Sequence, residues 1–173
     1  MDFGQLYYLT SIGDLEDLLP WEKGMSEERK NCNAYIRLDN GQLFITHGTH
    51  NRFSFLLRIF KTWNFPRTGV PLQSTSFTSR PGDLISKDDF FLLSSGLRVL
   101  ETSLANNIQS NLDEVKLTTV PSWLRTLVAN HLASSISEWI QIFNTFRSGT
   151  HNNQWILIDP SKVTSGKEIV IFF

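Results

Sequence analysis

The chain has 173 residues, about one domain's worth, and its 40% hydrophobic and 12% aromatic content (13 Phe, 5 Trp) excludes a disordered tail. The balance of 16 Lys+Arg against 17 Asp+Glu gives a net charge of −1, without the basic footprint of a dedicated nucleic-acid binder, and no apolar stretch approaches the ~20 residues of a membrane span. Cys32 is the one cysteine, so neither an internal disulfide nor a Cys-rich zinc site can be built.

The opening residues, Met1 to Tyr8, lack both the basic start and the continuous apolar region of a signal peptide. Gly13-Asp14-Leu15-Glu16-Asp17-Leu18-Leu19-Pro20 predicts an acidic helical turn ended by Pro20. Glu22 to Lys30 is charged and reads as an exposed linker. From Asn33 the pattern changes. Ala34, Ile36 and Leu38 alternate with Tyr35 and Arg37, Asn40-Gly41 follows, and Leu43-Phe44-Ile45-Thr46 comes next. Two β-prone runs around Asn-Gly predict a β-hairpin, because Asn and Gly tolerate the positive φ angles of the tight turn.

Phe53, Leu56, Leu57 and Phe60 fall at helical spacing and predict a helix over Asn51 to Trp63, ended by Asn64-Phe65-Pro66. Ser74 to Ser79 is polar and β-branched, and Pro81-Gly82 makes a turn. Phe90 to Leu93 and Leu97 to Ser103 read as strands. A helix is expected to begin near Pro121 and run through Leu132, since Pro suits a first helical turn. A second, Ile136 to Phe146, places Trp139, Ile140, Phe143 and Phe146 on one face. Trp155 to Asp159 and Ile169 to Phe173 read as final strands. The order of elements is that of an α+β domain with mostly local β pairing. An apolar run at the chain end, without a polar tail, is expected of an incomplete domain.

Cys32 admits two readings. A free cysteine commonly behaves as a small buried hydrophobe. This one sits where a charged linker meets the first strand. A cut between Asn31 and Cys32 would free its α-amine to act as base for its own thiol. His47 ends the second hairpin strand, within a side chain's reach of Cys32. It is either a proton-transfer partner for the thiol or a polar residue at a junction. A metal reading of His47 with His50 lacks further ligands, because His131 and His151 lie in other segments; no metal or cofactor is expected. Ser148 to Trp155 holds Asn152 and Asn153 at a loop-to-strand junction. They could donate to a developing oxyanion or simply build a turn.

These segments, in this order, resemble the central part of the phospholipase B-like family, also called the laminin-ancestor or lysosomal 66-kilodalton-protein family. Gly13 to Leu18 resembles the segment before the family's processing site. Cys32-Asn33-Ala34-Tyr35-Ile36-Arg37-Leu38 resembles the strand that opens with its nucleophile. His47-Gly48-Thr49-His50-Asn51 resembles its His-x-Thr-Trp motif, and Leu57-Arg58-Ile59 matches within the expected helix. Ser79-Arg80-Pro81-Gly82, Asp88-Asp89-Phe90, Ser95-Gly96-Leu97, Leu100-Glu101-Thr102 and Val128-Ala129-Asn130 also match. Ser148-Gly149-Thr150-His151-Asn152-Asn153-Gln154-Trp155 differs in one position from the family's Ser-Gly-Thr-Tyr-Asn-Asn-Gln-Trp.

The resemblance implies an N-terminal-nucleophile hydrolase of αββα sandwich type, incomplete at both ends. Residues 1–31 would be the segment before the cut, and 32–173 a partial hydrolase core. It implies self-cleavage between Asn31 and Cys32, a Cys32 nucleophile, assistance from His47, an oxyanion contact from Asn152 or Asn153, and Thr102 beside them. Thr49, His50 and Trp155 would line the substrate pocket. The implied substrate is a phospholipid or other lipid acyl ester, or an acyl amide; the implied location is lysosomal or secreted. His50 stands where the family has Trp, His151 where it has Tyr, and no Asn-x-Ser/Thr sequon occurs. Family chains are longer, so missing upstream and downstream parts are expected partners. Two alternatives remain open at this level: a non-catalytic truncated paralogue or fragment, and an amidase acting on acyl amides.

Overall fold

The computed structural model describes residues 2–18, 32–51, 53–104, 116, 118–163 and 171–172. Asn40 and Gly41 both take positive φ, 47° and 79°, as the expected tight turn demands. They join β1 (Asn33–Asp39) to β2 (Gln42–Gly48) in a register running from Asp39 opposite Gln42 to Asn33 opposite Gly48.

A second sheet is an antiparallel meander of β3 (Ile59–Asn64), β4 (Ser74–Ser79), β5 (Phe90–Leu93), β6 (Arg98–Thr102), β7 (Gln154–Ile158) and β8 (Ile171–Phe172), in that spatial order. Between β6 and β7 run helices α3 (Ser122–Leu132) and α4 (Ile136–Phe143). Strand alternation divides the central residues between two cores. Val99, Trp155 and Leu157 pack with Ala129, Ala133, Trp139 and Phe143 of the helical layer. Leu100, Ile156 and Ile158 pack with Ala34, Ile36, Leu43 and Ile45 of the hairpin. The six-stranded sheet therefore lies between a helix pair and the β1–β2 hairpin. This is a mixed α+β arrangement with antiparallel sheets, as the order of elements leads one to expect.

Two expectations are corrected. The helix over Asn51 to Trp63 is instead a single 3-10 turn, Phe53–Phe55, followed by strand β3. The apolar residues at helical spacing find no core to face: Phe53, Leu56, Leu57 and Phe60 are all exposed. Pairing with β4, from Ile59 opposite Ser79 to Asn64 opposite Ser74, decides the conformation instead. Ile59, Thr62 and Trp63 suit a strand, and the Trp63 ring packs edge-on against Phe77 at 4.8 Å. Arg58 accordingly precedes a strand and is not helical. The second correction concerns Phe146. Helix α4 ends at Phe143, and Phe146 follows at φ 55° with its ring exposed, off the core face it was expected to share.

The N-terminal residues form α1 (Phe3–Thr10) and α2 (Ile12–Leu18). Helix α1 was not foreseen, although its capping box is in the sequence: Asp2 accepts from the Gln5 backbone N–H at 2.8 Å, and the Gln5 side chain accepts from the Asp2 N–H at 3.0 Å. Helix α2 covers most of the expected acidic turn. Its buried Asp14 accepts from the Ser122 N–H at the start of α3 (2.8 Å) and from the Thr150 hydroxyl (2.6 Å). Asp17 accepts from the His151 N–H at 2.7 Å. A Cβ on Gly13 would come within 3.2 Å of the His151 ring, so a side chain there would push the loop away. The acidic turn thus clamps the loop 148–151. The expected linker Glu22 to Lys30, Asn31, and residues 169, 170 and 173 of the expected last strand lie outside the described residues.

Candidate active site

Cys32 immediately precedes β1, and the hairpin register sets Ala34 opposite His47. The two chain ends of the hairpin therefore meet, as the spacing requires. Cys32 is 7% exposed. Its sulfur accepts from the backbone N–H of His50 and from the Ser103 hydroxyl at 3.9 Å, and it shares a hydrogen bond with the Glu101 carboxylate. Ligand atoms of Cys32, His47 and Glu101 all lie within 4.8 Å of one another. Burial, then the Glu101 charge, pushes the thiol up to about 11. As an internal residue, Cys32 carries a protonated thiol at neutral pH.

The His47 ring stacks on Phe90 at 5.9 Å, and its Nε2–H donates to the Glu101 carbonyl at 2.9 Å. That bond fixes the tautomer and leaves Nδ1 with a lone pair; Nδ1 is buried and has no partner. Burial lowers the imidazole's proton affinity, with Arg58 adding to the effect. His47 is thus a neutral base beside the thiol.

Glu101 is 1% exposed, and its Oε2 has no hydrogen-bond partner. Burial, then repulsion from Asp89, raises its carboxyl to about 8. Burial also raises Asp89, which takes a left-handed φ of 47° and meets His151 Nε2 at 3.0 Å. His151 is itself left-handed, at φ 50°. Non-glycine residues at positive φ persist where their surroundings impose them. Here the imposing contacts are Asp17, Gly13 and Asp89. Burial on its own would depress His151, but the hydrogen bond and charge of Asp89, with Glu101 behind, carry it up to about 9.

The two asparagines part company. Asn153 Oδ1 accepts from the Leu104 N–H at 3.4 Å, next to Ser103, and its Nδ2 lies 3.0 Å from His151 Nε2. Asn152 is exposed and donates to the Gly149 carbonyl at 2.6 Å. Thr102 pairs with Gln154 one residue before Ser103. Thr49 is half-buried with an unpartnered hydroxyl, and exposed His50 sets Nε2 3.3 Å from Asn33 Nδ2. Trp155 requires a correction. It is 2% exposed and packs on Trp139 (5.4 Å) and Phe143 (5.0 Å), so it is a core residue and not a pocket wall. The His131 ring donates through Nδ1–H to the Leu127 carbonyl of its own helix at 2.8 Å.

Sequence reasoning missed Glu101, Asp89, Ser103 and the role of His151. Asp88-Asp89 and Leu100-Glu101-Thr102 were visible as motifs, but nothing in their spacing shows that buried carboxyls converge on the thiol.

The raised groups make stability depend on pH. Above pH 6.5 the folded chain holds protons on Glu101 and His151 that the unfolded chain, with ordinary values of 4.5 and 6.5, has released. Stability must therefore fall as pH climbs from 6.5 towards about 9. His47, lowered in the folded state, acts in the opposite direction only below 6.5. The urea midpoint is expected to be lower at about pH 8.5 than at about pH 6.5, with a shallower slope in Glu101→Gln. A midpoint that rises across this interval would refute the burial of these protons.

Among the described residues no helix is long and apolar enough to cross a membrane. Comparison with known proteins places the sequence among relatives. It is 35% identical to phospholipase B-like 1 of Rattus norvegicus over 98% of this chain and 33% of that protein. The figure is 35% for phospholipase B-like 1 of Homo sapiens, over 94% of this chain and 32% of that protein. Phospholipase B-like protein G of Dictyostelium discoideum is 33% identical over 95% of this chain and 33% of its own length. The chain thus spans about a third of the length of these curated relatives. The sequence profile described as Phospholipase B matches residues 1–170, which takes in α1 and α2, the hairpin, the Cys32 cluster and the clamped loop alike, and the chain accordingly belongs to the phospholipase B family.

Proposed function

We propose that the chain carries the nucleophile of a phospholipase B-like acyl hydrolase, with an N-terminal-nucleophile mechanism built on Cys32. The observation that carries this reading is the placement of the thiol. It lies at the start of a strand, buried beside a neutral imidazole and a carboxyl, with hydrogen bonds from His50 and Ser103. In the uncut chain the α-nitrogen of Cys32 is an amide and cannot take a proton, and the thiol is held protonated.

In the first step the thiol gives its proton to His47, the neutral base within 4.8 Å of it. The sulfur bonds to the Asn31 carbonyl carbon, the Asn31–Cys32 C–N bond breaks, and the leaving nitrogen takes up a proton as the new α-amine. Water then cleaves the thioester and frees the Asn31 carboxylate. In turnover the α-amine serves as base for the sulfur, which attacks an acyl carbonyl. His47 assists proton transfer. Asn153 donates to the oxyanion, its place beside Leu104 and Ser103 favouring it over Asn152. Thr102, Thr49 and His50 border the substrate.

The order of helices, six-stranded sheet and hairpin supports three successive layers of an αββα sandwich. Longer relatives leave room for the remaining layer and for a lipid-binding surface in parts beyond this chain.

Acyl release from a panel of phospholipids and acyl amides tests the reading, with wild type and Cys32→Ala side by side. Release from phospholipids that disappears in the variant is the expected result. Release from amides alone would make the protein an amidase using the same residues, and equal rates in both chains would remove Cys32 from the mechanism.

A further inference from the structure

Cys32, His47 and Glu101 bring one sulfur, one nitrogen and one oxygen donor from three separate elements to a common point, all within 4.8 Å. Two of these groups have unused capacity. Glu101, 1% exposed, keeps Oε2 unpartnered, and His47 keeps Nδ1 unpartnered. Buried polar atoms without partners are uncommon, and here two of them sit on side chains of one donor cluster, where a bound ion would satisfy both. We propose that these three side chains form a binding site for a thiophilic divalent cation, Zn2+ above all, that holds the Cys32 sulfur and silences it.

The donor set decides the class of ion. A thiolate, an imidazole and a carboxylate suit zinc, whereas Mg2+ and Ca2+ take oxygen donors. Zinc bonds of about 2.0–2.3 Å put tetrahedral donors roughly 3.5 Å apart, so side-chain rotations of about an ångström close the site. Three protein ligands leave a fourth position for water. On binding, the thiol proton passes to solvent and the sulfur's lone pair to the metal. A sulfur so held cannot attack a carbonyl, so the ion acts as a reversible brake on any chemistry of Cys32. Unlike the His47/His50 pair weighed from the sequence, the set uses Glu101, 54 positions further along the chain than His47.

The site does not depend on the acyl-hydrolase reading, and the experiment separates the two. The reduced 173-residue chain is titrated with Co2+, read by the thiolate-to-cobalt charge-transfer band, and the cobalt is then displaced with Zn2+. One equivalent with a thiolate band is expected. The band should vanish in Cys32→Ala. His47→Ala and Glu101→Gln, checked for fold by circular dichroism, should each weaken binding by at least about tenfold, since even outer-shell partners cost 10–100-fold. X-ray absorption on the zinc-loaded wild type, which needs no variant, should show one sulfur with nitrogen and oxygen neighbours. Absence of the band, or a zinc shell without sulfur, overturns the site. Equal affinity in folded His47→Ala and Glu101→Gln overturns it as well. Intact mass on the reduced, metal-free chain reports cleavage before Cys32 independently, so a chain that binds zinc yet is never cut when free of metal refutes the hydrolase reading alone.

Discussion

Asp88→Ala is expected to destabilise the chain by about 3–5 kcal/mol, the usual cost of breaking a buried ion pair from one side. Asp88 is fully buried and holds two arginines: Arg80 at 2.9 Å through Oδ1 and Arg58 at 3.1 Å through Oδ2. Arg80 is itself buried, donates to the Phe55 carbonyl at 3.0 Å and lies over the Phe55 ring at 5.1 Å. Without Asp88 its guanidinium would stay buried with no counter-charge, and its Nη1 already lacks a partner. Asp88→Asn keeps the shape and some hydrogen bonding, so a smaller loss is expected. The effect also reaches the site. Arg58 donates to the His47 carbonyl at 3.4 Å, and Asp89 is the next residue. Urea denaturation of the three chains checks this. A loss below about 1 kcal/mol for Asp88→Ala would mean that the arginines find water instead.

Trp139→Ala should cost a similar amount, about 3–5 kcal/mol. The ring is fully buried, stacks on Phe143 at 4.7 Å and lies 5.4 Å from Trp155. Its Nε1–H donates to Asn130 Oδ1 at 2.8 Å, so truncation leaves both a cavity and an orphaned buried amide. Trp139 joins the helical layer to the central sheet through Trp155, the strand neighbour of Glu101. The denaturation midpoint should fall with little change in its slope against urea. A neutral substitution would contradict the packing of α4 on the sheet.

How much of this was legible in the sequence depends on the range of the interaction. Asn40-Gly41 fixes a turn between adjacent residues, and the hairpin and its consequence, His47 returning to Cys32, followed from it. Helices α3 and α4 were legible from apolar spacing. The failure at Asn51 to Trp63 has the opposite origin. A helical pattern needs a core to bury its face, and this stretch instead pairs with β4 while its apolar side chains stay exposed. Cys32 and His47 could be singled out because they lie 15 positions apart across one turn. Glu101 and Asp89 could not, because they reach the thiol only through the sheet order, which no local pattern encodes. The clamp on the loop of Asn152 and Asn153 was hidden for the same reason: Asp14 and Thr150 are 136 positions apart.

The account depends on Cys32 becoming a chain terminus. Intact-mass spectrometry of the purified chain, after incubation at mildly acidic pH, measures this directly. The account predicts a new polypeptide beginning at Cys32 and a complementary piece ending at Asn31, both absent from Cys32→Ala. A wild-type chain that stays whole, or a Cys32→Ala chain cut at the same bond, would contradict it.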